Sequence, residues 1–339
     1  MRMIAFDSTG RNLVLADDAE LLVHDGPSEG PRWRRDCKSP LIAVGATPDA
    51  VISVDEDGQA VWHDPLRDVQ RATAEAGDLA RAAAISPAGH VLVATSEGAV
   101  ELTPSGPGRR HAWPDATVVA WGVGGQLLVA DERGKVGVFG PGGLVQEHQI
   151  EAPPVAAAWN PRGFWVVATA RKLLRLEGGA VHHLTGGPAD MPIRAVACSL
   201  SGDAIAMVLG NSLALVLSWP GRDNIGQLRY LDRLVDGVQF GPEPWLAVGL
   251  DGGDGNKFDL SNGNLHRTDT HPGREHRHWM VQVSVHPPEP AAAPTAAPAR
   301  PQPAADAQPA AKPSRSIGSI LGLVAVAVVI LYAIVRFGS

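Results

Sequence analysis

Residues 82–102 read Ala-Ala-Ala-Ile-Ser-Pro-Ala-Gly-His-Val-Leu-Val-Ala-Thr-Ser-Glu-Gly-Ala-Val-Glu-Leu. Apolar runs at Ala82–Ile85, Val91–Ala94 and Ala99–Leu102 are separated by the turn Ser86–Gly89 and by a second turn that ends at Gly98. Short apolar runs closed by turn residues predict a three-stranded antiparallel meander. Such a unit cannot bury both of its faces alone, so it needs copies of itself.

The chain supplies them. Residues closing the equivalent first turn are Gly10, Asp49, Gly89, Gly125, Gly163, Gly202 and Pro244, at intervals of 39, 40, 36, 38, 39 and 42 residues. Four positions earlier stand Phe6, Gly45, Ile85, Trp121, Trp159, Cys198 and Phe240, mostly large and apolar. Ser86-Pro87, Asn160-Pro161 and Gly241-Pro242 occupy matching turn positions. Seven copies at a period near 40 fit four strands per repeat. The expected fold is all-β, a seven-bladed β-propeller over residues 1–286. A Pro/Ala-rich linker (287–316), a transmembrane helix (317–335) and a short tail (336–339) follow it. Trp121 and Trp159 are expected between neighbouring blades, where large aromatics fill the widening gap.

Repeat two contains Asp57-Gly58-Gln59-Ala60-Val61-Trp62-His63-Asp64. With Ile85–Gly89 and Glu97-Gly98, this resembles the strand, turn, strand, Asp-Gly, strand and terminal Trp-Asp order of the WD40-repeat family, in degenerate form. The resemblance implies a WD40-like propeller fold. The chain departs from the family in two ways: His63 interrupts the Trp-Asp pair, and Gly89-His90 falls in the first turn. The family's buried His-Asp-Ser/Thr-Trp network is therefore not carried onto these positions.

Among 339 residues, 29 are Lys or Arg and 36 Asp or Glu, giving a net charge of −7. That balance argues against nucleic acid as a partner. Five lysines against twenty-four arginines, with abundant alanine, suggest a high-GC bacterial source. Cys37 and Cys198 form no CxxC metal pattern and no disulfide framework, so a reducing compartment is expected. Residues 1–7 carry no apolar leader stretch of the kind a secretory signal needs.

No nucleophile elbow, P-loop or HExxH occurs, and Gly122–Gly125 lacks the spacing of a dinucleotide fingerprint. No catalytic residue and no cofactor are therefore assigned. His266, His271, His276 and His278 are the weak candidates for a metal site, since their spacing matches no recognised ligand set. Asp251–Asn256 fails the EF-hand pattern. The strand-like stretch Trp279–Val285 is expected to close the ring, in the seventh blade or against the first.

Acidic charge recurs on the second turn of five repeats, while repeat six has only Asn211. Asp17, Asp18, Asp55, Glu56, Asp57, Glu97, Asp131, Glu132, Asp251 and Asp254 should share one face, with Arg171 and Lys172 as a basic notch in repeat five. That face is the candidate docking surface for a protein with a basic surface.

From Pro287 to Arg315 there are nine prolines and eleven alanines, a semi-rigid tether. Ile317–Val335 is nineteen residues without a charge, enough to span a bilayer. Lys312 and Arg315 precede it and Arg336 follows, which, with no leader stretch, predicts a propeller on the cytoplasmic side, expected at a bacterial inner membrane. Gly318 and Gly322 form a GxxxG pair that permits an anchor-helix homodimer. The expected function is a membrane-tethered, non-catalytic interaction scaffold. The rivals are a membrane-attached propeller enzyme, of hydrolase or lactonase type, with a central-channel site, and a periplasmic binding module.

Overall fold

The computed structural model describes residues 2–7, 9, 11–25, 31–187, 190–230, 234–241, 245–250, 255–259, 264–268 and 278–280. The linker at 287–316, Ile317–Val335, Gly318 and Gly322 lie outside the described residues. Among the described residues, no helix is long and apolar enough to cross a membrane. Two compact units divide the chain near Pro287.

Among the described residues of the first unit, the strands form seven antiparallel sheets, each with four strands consecutive in the chain and sheet 6 with a fifth. Sheet 1 spans residues 2–36, sheet 2 residues 41–75, sheet 3 residues 82–112 and sheet 4 residues 116–149. Sheets 5, 6 and 7 span residues 154–186, 193–230 and 235–268. First strands neighbour one another around the ring, and the first strand of sheet 1 returns to that of sheet 7. This is a β-propeller, with first strands innermost.

Burial follows that geometry. Second strands such as Val91–Ala94, Phe164–Thr169 and Ala204–Leu209 are buried throughout. Fourth strands such as Gly106–Ala112 and Gly143–Gln149 bury little beyond one residue and expose polar ones, which discourages edge pairing. Apolar clusters fill the spaces between neighbouring sheets. One joins Leu92, Trp113 and Val129 across sheets 3 and 4, and another joins Leu176, Trp165 and Leu128 across sheets 4 and 5. Leu13, Leu15 and Leu22 of sheet 1 meet Ala247 of sheet 7 where the ring closes.

The recurring position before the first turn faces the preceding sheet. Ile85 packs on the cluster between sheets 2 and 3, Trp121 on that between 3 and 4, Trp159 on that between 4 and 5, and Phe240 on that between 6 and 7. Trp121 Nε1 donates to the Ala84 carbonyl across the gap at 3.0 Å, and Trp159 meets Trp165 edge-on at 5.0 Å. Repeat two corrects the alignment. Its hairpin pairs Ala46 with Val51, and Ala46 is the residue facing sheet 1. Gly45 faces sheet 3 instead, where a Cβ would lie 2.7 Å from Ile85.

The expectation for ring closure is also corrected. Asn264–Thr268 is the fourth strand of sheet 7, so His266 lies on a strand. His278–Met280 pairs with Leu228–Tyr230, adding a fifth strand to the outer edge of sheet 6 and not to sheet 7 or sheet 1. Val281–Val285 lies outside the described residues.

Candidate functional site

The turn between second and third strands and the link to the next sheet share one face of the ring. Backbone hydrogen bonds stitch them together. The N–H groups of Leu41, Ala80, Asp115, Ile193 and Val235 donate to the carbonyls of Asp18, Glu56, Ser96, Ala170 and Asn211, at 2.7 to 3.1 Å. Outgoing links do the same: Ala76 N–H donates to Gly58 and Ile150 N–H to Gly134. With the main chain satisfied in this way, the rim presents its side chains outward.

The acidic residues on this face divide into two kinds. Asp55 accepts from Gln59 N–H at 2.8 Å, and burial, ahead of the neighbouring Asp57 charge, raises its pKa. Asp131 is buried and accepts from Arg133 and Lys135 N–H groups at 2.9 and 3.0 Å. Thr95 and Thr169 take the same capping position in sheets 3 and 5. These residues hold their turns, as Asp and Thr side chains do. Asp18, Glu56, Asp57, Glu97 and Glu132 are exposed. Asp57 accepts from Ser39 Oγ at 2.5 Å, and Glu97 reaches Arg110 only at 4.0 Å. Asp17 ends a second strand and is half-buried. Asp251 and Asp254 lie outside the described residues.

Five first strands carry a β-bulge where they enter from this face, at Ile42, Thr117, Val155, Arg194 and Asp236. A bulge adds one residue and re-aims its neighbours. The amino-acid pattern carries no signal for it, because the apolar alternation resumes unbroken.

The inner strands bear on catalysis. They read RMIAF, LIAVGA, AAAI, ATVVAW, PVAAAWN, IRAVAC and VDGVQF, with Asp236 as their one carboxylate and no histidine. Burial pushes the Cys198 thiol up to about 12, a poor nucleophile.

A Ser–His contact that the sequence alone does not suggest lies between sheets 1 and 2. His63 Nδ1 stands 2.9 Å from Arg35 Nη1, and Nε2 stands 3.0 Å from Ser53 Oγ. Arginine can only donate, so Nδ1 accepts and Nε2 carries the proton toward Ser53. That is the wrong polarity for activating a serine. Burial, then Arg35, lowers the His63 pKa to about 4.

The unfolded-state value near 6.5 exceeds the folded one, so protonation favours unfolding. Stability from this group is full above pH 6.5 and falls through the window down to pH 4, by about 3 kcal/mol. Urea midpoints at pH 7.5 and 4.5 should therefore show that loss in the native chain and a smaller one in His63→Gln. Equal losses would rule His63 out as the cause.

Of the histidine candidates, the backbone places His266 on sheet 7 opposite Lys257 and His278 on the edge of sheet 6 opposite Tyr230. His271 and His276 lie outside the described residues.

No family model matches the chain, and no curated protein matches it in sequence. Among solved structures it is similar to the β-propeller domain of Myceliophteria thermophila Cps50 (Swd1). The TM-score is 0.65 at 12% identity, covering 76% of this chain and 96% of that one. The likeness establishes the fold: the chain folds as a β-propeller.

Proposed function

We propose that this chain is a membrane-tethered, non-catalytic scaffold whose seven sheets are seven blades of one closed ring. Its acidic rim would receive a protein with a basic surface. The observation that carries the reading is the pairing of that rim with an inner wall nearly devoid of ionisable groups. Exposed Asp18, Glu56, Asp57, Glu97 and Glu132 project from turns whose backbone is internally satisfied, and the seven first strands hold one carboxylate and no histidine. An enzyme of the rival class would cluster carboxylates or hold a metal in the central channel.

The uncharged stretch at 317–335 supports tethering at the cytoplasmic side of a bacterial inner membrane. Gly318 and Gly322 would allow two anchors to approach closely. A tether raises the local concentration of whatever the propeller holds.

Proximity labelling from the full chain, compared with a chain ending after Val285, tests this reading. The full chain should label membrane-proximal proteins together with a basic partner, and the shortened chain should keep the basic partner alone. Identical label sets would overturn the tether. Protection of the propeller from protease in intact spheroplasts but not in lysed ones supports the cytoplasmic side, and digestion in intact spheroplasts overturns it.

A further inference from the structure

Three clefts repeat around the ring, each where the link leaving one sheet overhangs the side of the next. They lie between sheets 1 and 2, 3 and 4, and 4 and 5, with volumes of about 500, 630 and 690 Å³. All three fall within the roughly 300–1,000 Å³ of ligand pockets. Their chemistry differs because neighbouring repeats supply different side chains at matching positions.

In the first, Arg35 is engaged by Asp68 at 2.6 Å and His63 at 2.9 Å, and Lys38 shares the lining with Asp36 and Asp55. In the second, Trp113 fills the space above Gly137, where a Cβ would sit 2.7 Å from its ring. Lys135 there lies 4.5 Å over that ring and 2.9 Å from Glu147.

The third is different. Leu174 stands where sheet 4 has Gly137, and Ile150 adds a second buried aliphatic wall. Val155 and Val181 line the same cleft and remain 39% and 42% exposed. Arg171 has no acidic partner among the described residues, and Lys172 is paired with Glu151, whose side chain is 82% exposed. On a face whose exposed turn residues are mostly acidic, this is where exposed aliphatic side chains and positive charge meet.

We propose that the cleft between sheets 4 and 5 binds an extended peptide segment carrying aliphatic side chains beside carboxylates. The aliphatic groups cover Val155, Val181 and Leu174, and a carboxylate pairs with Arg171. A second carboxylate takes the place of Glu151 on Lys172, so Glu151 acts as an internal competitor. The exposed valines supply apolar area, and the guanidinium supplies bidentate recognition of carboxylate. The exposed Glu132 in the turn of sheet 4 repels a longer acidic chain on that side, which restricts how far the ligand extends there.

The proposal does not depend on the basic partner of the rim, since it calls for a ligand of opposite charge. Its test is calorimetric titration of the full chain, in a neutral detergent, with an end-blocked pentapeptide Glu-Ile-Glu-Val-Glu and with its counterpart bearing lysine at each glutamate. The acidic peptide should bind and the lysine peptide should not bind at this cleft. Arg171→Glu and Val181→Asp should each weaken binding at least about tenfold. Glu151→Gln should strengthen it about threefold, a gain that damage to the fold would not produce. Arg171→Gln, which keeps a polar side chain at an exposed position, serves as the milder variant if charge reversal disturbs folding. No binding of the acidic peptide, equal binding of the lysine peptide, or indifference to both Arg171→Gln and Glu151→Gln overturns the proposal.

Discussion

Gly98→Ala should cost about 3–5 kcal/mol, close to the whole margin of a marginally stable domain. Gly98 closes the second turn of sheet 3 at φ +151°, and an added Cβ would sit 2.2 Å from the His111 carbonyl oxygen and 3.0 Å from the Trp113 nitrogen. Both are backbone atoms held by sheet pairing, since Gly98 lies opposite Ala112 in the register. Neither can yield without separating the third strand from the fourth. Gly106, in the next turn of the same sheet, has φ +120° and nothing within 4 Å of where a Cβ would stand. Gly106→Ala therefore isolates conformational strain, about 1–3 kcal/mol. Urea denaturation of the two variants separates the effects. Equal losses would mean that contact with the fourth strand and the link contributes nothing. Gly58 and Gly134 repeat the arrangement, with φ near +80° and link carbonyls of Asp78 and Ile150 at 2.5 Å from the added Cβ. The turn glycine thus serves the crossing of two chain segments as well as the turn.

Much of the propeller was legible because hairpin rhythm is local. The apolar runs, the turn residues and the period near 40 follow from neighbours in sequence, and the predicted wedge positions of Trp121 and Trp159 rest on the same alternation. The failures are of another kind. Repeat two has a tighter first hairpin, so counting from Asp49 selected Gly45 where pairing selects Ala46. The bulges at Ile42, Thr117 and Val155 insert a residue without changing hydrophobic pattern, so only the register reveals them.

The acidic rim was visible as composition, but its division was not. Asp55 and Asp131 hold turns, whereas Glu56, Glu97 and Glu132 face solvent, and one carboxylate looks like another in a sequence. His63 stood out only as an interruption of a Trp-Asp pair. Its partners Arg35 and Ser53 come from different strands, with Arg35 on the preceding sheet, a meeting that depends on how sheets pack. The three clefts are similarly a product of repeats brought side by side.

That division sets the form of the sharpest functional test. Changing Glu56, Asp57, Glu97 and Glu132 together to lysine should slow capture of a basic partner at least about a hundredfold at low salt, since a clustered field changes association by roughly 10- to 1,000-fold. The fold should survive. All four side chains are exposed; Glu97 gives up only its 4.0 Å approach to Arg110, and Asp57 gives up one exposed hydrogen bond to Ser39. Added salt should slow capture by the native chain and leave the reversed chain little changed or faster, because screening weakens attraction and repulsion alike. Reversing Asp55 and Asp131 instead should lower stability by about 1–3 kcal/mol at each site, because the N–H groups of Gln59, Arg133 and Lys135 lose their acceptors. Crosslinked pull-downs quantified by mass spectrometry read the first effect, and denaturation midpoints read the second. If the four-lysine chain captures the same partners at the same rate, the rim is solvated turn chemistry and the docking surface lies elsewhere on the ring.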